Sequence, residues 1–160
     1  MVDLIPLVRS HPTARHRTLR KPTADAWFGR GHAAEVGGNL DVARTAYARA
    51  IATDPLHREA NTNLGRLVHA ESGAAAAEGY YRMALLVNRD DAAGWFNLGV
   101  ALHDQGRAAE AIAAYRAAVS FDPGLAAAHF NLALLLDGRS DVASQRAALR
   151  HLAAYRRLAR

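Results

Sequence analysis

Three asparagines recur at an interval of 34 residues, at Asn63, Asn97 and Asn131. An asparagine amide carries N–H donors and an oxygen that accepts, so it can pair with both the N–H and the C=O of an extended peptide. Asparagine is only a moderate helix former, so helix propensity does not explain its return beside each Leu-Gly or Leu-Ala pair. The chemistry that this pattern favours is recognition of main chain.

The histidines and carboxylates do not form a catalytic or metal-binding pattern. The chain has eight histidines, and no two of them have an HExxH or similarly compact spacing. The lack of cysteine excludes disulfides, thiolate nucleophiles and Cys-ligated zinc, and the sequence has no phosphate-binding loop or nucleophile elbow. We therefore expect no enzyme, no cofactor and no metal. The carboxylates interpreted as solvated helix ends and faces are Glu71, Glu78, Asp90, Asp91 and Glu110.

The elements that carry these residues repeat with the same interval. Each unit contains two segments of helical apolar periodicity around a breaker such as Gly106, and Pro55 and Pro123 close two of the units. High alanine content and few aromatic residues also favour helices packed through small side chains. The sequence thus predicts an all-α array of about four helical hairpins. The repeated small and aromatic positions are Gly31, Gly65 and Gly99, followed by Ala133, and Tyr47, Tyr81 and Tyr115.

These residues resemble the tetratricopeptide repeat, in which Trp, Leu-Gly and a large residue lie in the first helix, and Ala, Tyr, Ala and Pro follow. The resemblance implies a right-handed α-solenoid with repeats at 24–57, 58–91, 92–125 and 126–160, after a flexible basic leader at 1–23. The fourth repeat fits best with about three residues inserted in its turn, and its arginine-rich last helix is suited to cap the array. The departures from the pattern are Arg30, Asn61, Arg89 and His129.

Helical geometry separates a packing face from a recognition face. In the third unit, Trp95, Leu98 and Gly99 share the buried stripe, whereas Asn97 points roughly the other way. In a stacked array this second face lines the concave groove, and it offers Phe, Asn and His side chains. The candidate ligand-binding residues are Phe28, His32, Asn63, Arg66, His69, Phe96, Asn97, His103, Phe130 and Asn131.

The asparagines have more than one interpretation. The units resemble the arrays of O-GlcNAc transferase, which implies that Asn63, Asn97 and Asn131 clamp the main chain of a bound peptide. They could equally recur because the unit was duplicated, or because each amide ties one repeat to the next. Three neutral hydrogen bonds, each adding about 0.5 to 1.5 kcal/mol, fall short of the roughly 8 kcal/mol of micromolar binding. The phenylalanines would have to contribute the remainder.

Charge and the absence of targeting signals set the remaining expectations. Residues 1–22 account for +4 of the formal net charge of +5, and the sequence has no secretory or membrane-spanning segment. We expect a cytoplasmic bacterial adaptor, monomeric or weakly oligomeric, that binds a protein or extended peptide, with no membrane partner. The alternative rests on a likeness of the repeats to those of bacterial MerR-type regulators. In this alternative the chain is an accessory module of a transcriptional regulator, and its basic tail contacts the regulator or nucleic acid. Nucleic acid is the less favoured of these two partners.

Overall fold

The computed structural model describes residues 21–160, which form eight α-helices and no strand. This confirms the all-α prediction. The leader falls almost entirely at residues 1–20, outside the described residues. The helices are α1 Ala24–Val36, α2 Leu40–Thr53, α3 Arg58–Ser72, α4 Ala74–Val87, α5 Ala92–Asp104, α6 Ala108–Phe121, α7 Ala126–Asp137 and α8 Val142–Leu158. Consecutive helices pair as four hairpins, and each second helix contacts the first helix of the next hairpin.

Short polar side chains and glycines set the limits of the helices. Thr23 caps α1 by accepting a hydrogen bond from the Ala26 N–H at 3.2 Å, and Asp91 caps α5 by accepting from Gly94 at 3.1 Å. The turn between α1 and α2 requires a positive φ of 77° at Gly38, and Gly106 supplies the equivalent 74° between α5 and α6. These local signals explain why each hairpin closes within a few residues.

A glycine facing a tyrosine ring holds each of the first three hairpins together. A Cβ atom added to Gly99 would lie 2.6 Å from the ring of Tyr115, and the corresponding distance is 2.6 Å for Gly31 and Tyr47 and 2.8 Å for Gly65 and Tyr81. The sequence predicts helices packed through small side chains, and the structure shows the form this takes here: the tyrosine ring fills the space left by the missing side chain of the glycine.

The position that holds Trp in the repeat pattern supplies an N–H donor to the preceding loop. Trp95 Nε1 donates to the Arg89 carbonyl at 2.7 Å, and Asn61 Nδ2 donates to the Pro55 carbonyl at 3.0 Å. His129 Nε2 lies 3.1 Å from the carbonyl of Pro123, which can only accept, so this nitrogen carries the proton. In each case the acceptor is six residues upstream. Asn61 and His129 thus supply the same side-chain N–H donor, although neither is the Trp of the repeat pattern.

Glu78 contradicts the interpretation that the carboxylates are solvated. Its side chain is buried and accepts hydrogen bonds from Arg107 Nη1 at 2.8 Å and Gln105 Nε2 at 2.9 Å. The bond from Gln105 and the neighbouring guanidinium of Arg107 outweigh burial and lower the pKa of Glu78. A carboxylate this buried requires such partners, and here they tie α4 to the turn before α6.

The first helices form the inner side of the array. Helix α3 also contacts α5 directly, whereas α4 and α6 are held apart as the two walls of a cavity of about 680 Å³ whose floor includes Trp95, Leu98 and Leu102 of α5. An array bends toward the side on which its neighbouring helices are closer. We call the surface formed by α1, α3, α5 and α7 the inner face.

Candidate functional site: the inner face

All ten candidate residues lie on the first helices of the four hairpins. Helix α1 carries Phe28 and His32, and α7 carries Phe130 and Asn131. The others are Asn63, Arg66 and His69 on α3, and Phe96, Asn97 and His103 on α5. The three asparagines are half-buried, so part of each amide remains accessible.

Two of the three asparagines bond to a tyrosine of the preceding hairpin. Asn63 Nδ2 donates to Tyr47 Oη at 3.2 Å, and Asn131 Nδ2 donates to Tyr115 Oη at the same distance. These bonds support the interpretation that the amide ties one repeat to the next. These bonds use only part of each amide, because its oxygen and its second N–H form no bond inside residues 21–160.

Asn97 differs from its two equivalents. Over the described part of the chain its side chain forms no hydrogen bond, although Tyr81 occupies the position that would correspond to Tyr47. Burial raises the pKa of the Tyr81 hydroxyl. Asn97 therefore presents both its donor and its acceptor groups at the middle of the inner face.

A polar network surrounds Asn63. Tyr47 Oη accepts from Asn63 and donates to Glu35 Oε2 at 2.7 Å, while Arg66 donates to the other carboxylate oxygen of Glu35. Burial and the bond to Glu35 raise the pKa of Tyr47 to about 12. Burial alone would raise the pKa of Glu35, but the bonds from Tyr47 and Arg66 outweigh it and lower that pKa. Arg66 is thus already paired.

The three candidate histidines lie in different surroundings. His69 Nε2 lies 2.9 Å from Asp104 Oδ2, which links α3 to α5. The ring of His32 stacks on Phe28, with centroids 6.3 Å apart, and is exposed. His103, equivalent to His69 in the sequence, forms no side-chain hydrogen bond with any described residue. Equal spacing in the sequence therefore did not predict equal environments.

The candidate phenylalanines already pack against the second helices. Phe28 lies 5.7 Å from Tyr47 and Phe96 lies 5.9 Å from Tyr115, measured between ring centroids, and both are half-buried. Phe130 is 43% exposed. Only part of each ring is therefore available to a ligand, and Phe130 offers the largest share.

One cavity brings several candidates together. It has a volume of about 310 Å³ and is lined by Phe28, His32 and Asn63, with Thr62, Arg58 and Asp91 beside them. The sequence analysis did not single out Arg58, and it interpreted Asp91 as a solvated helix end. The structure corrects this, because the Asp91 side chain is only 13% exposed and forms an ion pair with Arg58 at 3.2 Å, between α3 and the start of α5. The signal in the sequence that could have indicated this ion pair was the opposite charge of two residues 33 positions apart. The larger cavity between α4 and α6 contains none of the ten candidates.

Stacked helical hairpins with a polar inner face define an α-solenoid of the kind that presents an extended surface. The family model of the tetratricopeptide repeat matches residues 13–55, 28–85 and 72–126. The chain therefore belongs to the tetratricopeptide repeat family.

Solved structures share this fold. A crystal structure of MamA has a TM-score of 0.75 and 20% identity, over 85% of this chain and 78% of that chain. MamA residues 41 to the end from Desulfovibrio magneticus RS-1 has a TM-score of 0.74 and 20% identity, over 87% and 77%. The first TPR of Spaghetti (RPAP3), bound to the HSP90 peptide SRMEEVD, has a TM-score of 0.66 and 21% identity, over 71% and 90%. No curated protein matches the chain significantly.

Residues 21–160 contain neither a candidate membrane span nor a candidate metal site. No helix in that range is long and apolar enough to cross a membrane. The same range holds no group of three or more His, Cys, Asp or Glu side chains arranged to bind a metal ion.

Proposed function

We propose that the chain is a protein-interaction module whose inner face binds an extended peptide segment of a partner. In this proposal Asn63, Asn97 and Asn131 pair with the main chain of the peptide. The observation that carries the proposal is that Asn97, at the middle of the inner face, has no bond to any described residue and thus keeps its whole amide for a ligand. The first TPR of Spaghetti (RPAP3), which has a similar fold, is bound to an HSP90 peptide, and this supports a peptide as the ligand.

The charges of the inner face bear on the kind of peptide. Arg58 is paired with Asp91, Arg66 with Glu35, and His69 with Asp104. Because each of these side chains has an acidic neighbour, none of the three offers an unpaired positive charge to a strongly acidic peptide. We therefore propose a peptide of mixed or low charge, with an apolar side chain directed at the exposed ring of Phe130.

The test uses the difference between Asn97 and Asn63. Peptides are selected on the wild-type chain from a displayed library of random sequences, and their dissociation constants are measured for Asn97→Ala. Loss of one or two main-chain hydrogen bonds, each about 0.5 to 1.5 kcal/mol, weakens binding by roughly 2- to 150-fold. Stability in urea is expected not to fall, because Asn97 has no internal bond to lose and alanine is the better helix former.

Gln145→Ala is the matched control, since Gln145 is an exposed amide on α8, away from the inner face. It should leave the dissociation constant unchanged. Equal affinities of wild type, Asn97→Ala and Gln145→Ala for every selected peptide would refute the main-chain clamp.

The regulator-module hypothesis depends on residues 1–22, most of which lie outside the described residues. It predicts salt-dependent binding of duplex DNA that is lost when these residues are removed. Retention of DNA binding by the truncated chain would contradict it.

A further inference from the structure

The end of the array at the fourth hairpin exposes an apolar cleft. The cleft lies between α7 and α8 and has a volume of about 170 Å³. Its lining is mostly apolar, with one acidic residue, and consists of Phe130, Ala133, Leu134 and Asp137 of α7 and Ala148, Leu149 and Leu152 of α8. Leu149 is 67% exposed and Leu134 is 56% exposed. We call this surface the terminal cleft. It differs from the inner face because part of its lining comes from α8, a second helix.

The preceding hairpins show what such a cleft accommodates. The α1–α2 hairpin is followed by α3, which packs on α2, and α5 and α7 pack in the same way on α4 and α6. With three residues inserted in the fourth turn, Ile112 of α6 corresponds to Leu149 of α8, and Ile112 is only 6% exposed within the cluster that contains Leu132 and Leu136 of α7. The terminal cleft therefore has the form of a surface on which an α-helix packs.

The opposite end of the array does not expose such a surface. The position held by Leu64, Leu98 and Leu132 in the later repeats is Arg30 in α1, and all three leucines are buried. The guanidinium of Arg30 lies 4.6 Å from the ring centroid of Trp27, and the guanidinium of Arg49 lies at the same distance from that ring. This end of the array is thus polar and positively charged.

The charge around the terminal cleft identifies its complement. Helix α8 contains no acidic residue, and Arg156, Arg157 and Arg160 line the cavity that adjoins the terminal cleft at Leu149 and Leu152. None of these three arginines forms an ion pair with a residue in 21–160. Stacking of a second copy head to tail would bring Arg30 and Arg49 against these arginines, which repels. A ligand that offered only phosphate groups could pair with the arginines, but it would leave the apolar side chains of Leu149 and Phe130 exposed to water.

We propose that the terminal cleft binds an amphipathic α-helix of a partner protein whose apolar stripe covers Phe130, Leu134 and Leu149. Its flank carries Glu or Asp residues that pair with Arg156, Arg157 and Arg160. This helix occupies the position that α7 occupies on the third hairpin. The proposal shares Phe130 with peptide binding at the inner face, but Asn97 takes no part in it, so Asn97→Ala, which should leave binding of the helix unchanged, distinguishes the two.

The test uses two synthetic helical peptides with leucines at i, i+3, i+4 and i+7. One carries Glu along both flanks and the other carries Lys at the same positions. Fluorescence anisotropy measures their binding to the full chain. We expect the Glu peptide to bind at least tenfold more tightly than the Lys peptide. Leu149→Glu should weaken binding of the Glu peptide at least tenfold, because it removes apolar contact and adds a like charge.

Leu86→Glu is the matched control, since Leu86 is 61% exposed on α4, outside the terminal cleft. It should leave binding unchanged, and circular dichroism should show both variants folded. Arg156→Gln combined with Arg157→Gln should reduce the preference for Glu over Lys.

Four results would overturn the proposal. The first is an equal effect of Leu149→Glu and Leu86→Glu, and the second is no binding of either peptide. The third is concentration-dependent dimerisation in sedimentation velocity that Leu149→Glu abolishes, since a second copy would then cover the cleft. The last is tenfold tighter binding of the Glu peptide after removal of residues 1–20, which would assign the cleft to the chain's own segment.

Discussion

A single methyl group added to Gly99 is expected to destabilise the third hairpin. A Cβ atom at this position would lie 2.6 Å from Cδ1 and from Cε1 of Tyr115, well inside van der Waals contact. Tyr115 is 0% exposed, so its ring can move away only by disturbing neighbouring core residues. Gly99→Ala therefore forces either a shift of the ring or a separation of α5 from α6.

The size of the effect follows from two opposing contributions. Overpacking of a close-packed core costs about 1–3 kcal/mol, whereas replacing Gly by Ala inside a helix stabilises it by about 1 kcal/mol. Gly79 lies in α4 with no atom within 4 Å of its added Cβ, so Gly79→Ala gains the helical contribution alone. The difference between the two variants isolates the overpacking and should be about 1–3 kcal/mol.

Urea unfolding followed by far-UV circular dichroism measures both variants. The double variant Gly99→Ala with Tyr115→Leu reproduces the combination of Ala133 and Leu152 in the fourth hairpin. It should be less destabilised than the sum of the two single changes. If Gly99→Ala were as stable as Gly79→Ala, the hairpin would not depend on the contact between glycine and the tyrosine ring, and this reasoning would fail.

Three further predictions concern stability. Asn63→Ala should be less stable than Asn97→Ala by about 1 kcal/mol in the same urea titration, the worth of the bond to Tyr47, because both changes gain the same helix propensity and only the first loses a bond. Asn61→Leu should cost about 1–3 kcal/mol despite its apolar side chain, because it leaves the Pro55 carbonyl unpaired; equal stability in urea would contradict this. Burial, then the positive charges of His129, Arg150 and Arg116, lower the pKa of His151 below 6.5, so the folded state favours the neutral ring. Stability should therefore be greatest above pH 6.5 and fall as the pH falls below it, and His151→Gln should show a smaller slope in unfolding measured across pH 5 to 8.

The repeat made the fold predictable, because each unit encodes the same hairpin. The positions Gly65 and Tyr81 recur at the repeat interval, and the structure pairs them as direct contacts. The burial of Glu78 was not predictable in the same way. Its partners Gln105 and Arg107 lie in the next repeat and have no equivalent in the other units, so periodicity gave no signal for them.

The candidate site was predictable only as a face. Helical geometry placed all ten candidates on the first helices, but it could not say which amides are already bonded. That depends on the distance between one repeat and the preceding tyrosine, which brings Asn63 and Asn131 within 3.2 Å of a hydroxyl and leaves Asn97 without a described partner. Small differences in stacking, which sequence spacing does not encode, thus distinguish otherwise equivalent residues.

Repeated residues whose side chains bond within the fold can be distinguished from those that have no such bond, and the latter are the better candidates for ligand binding. Asn61, Trp95 and His129 differ in type, but each donates an N–H to the loop carbonyl six residues upstream, so their recurrence is accounted for by the fold. Arg30 departs from the leucine of the other units because it lies at the solvated end of the array, over Trp27. Neither explanation applies to Asn97. Any good helix former would suit its position in α5, and its amide bonds to no described residue. The amide atoms of Asn97 remain accessible to solvent, so a peptide main chain can replace the water bound there, and this is why Asn97, more than Asn63 or Asn131, is the residue on which the peptide-binding proposal depends.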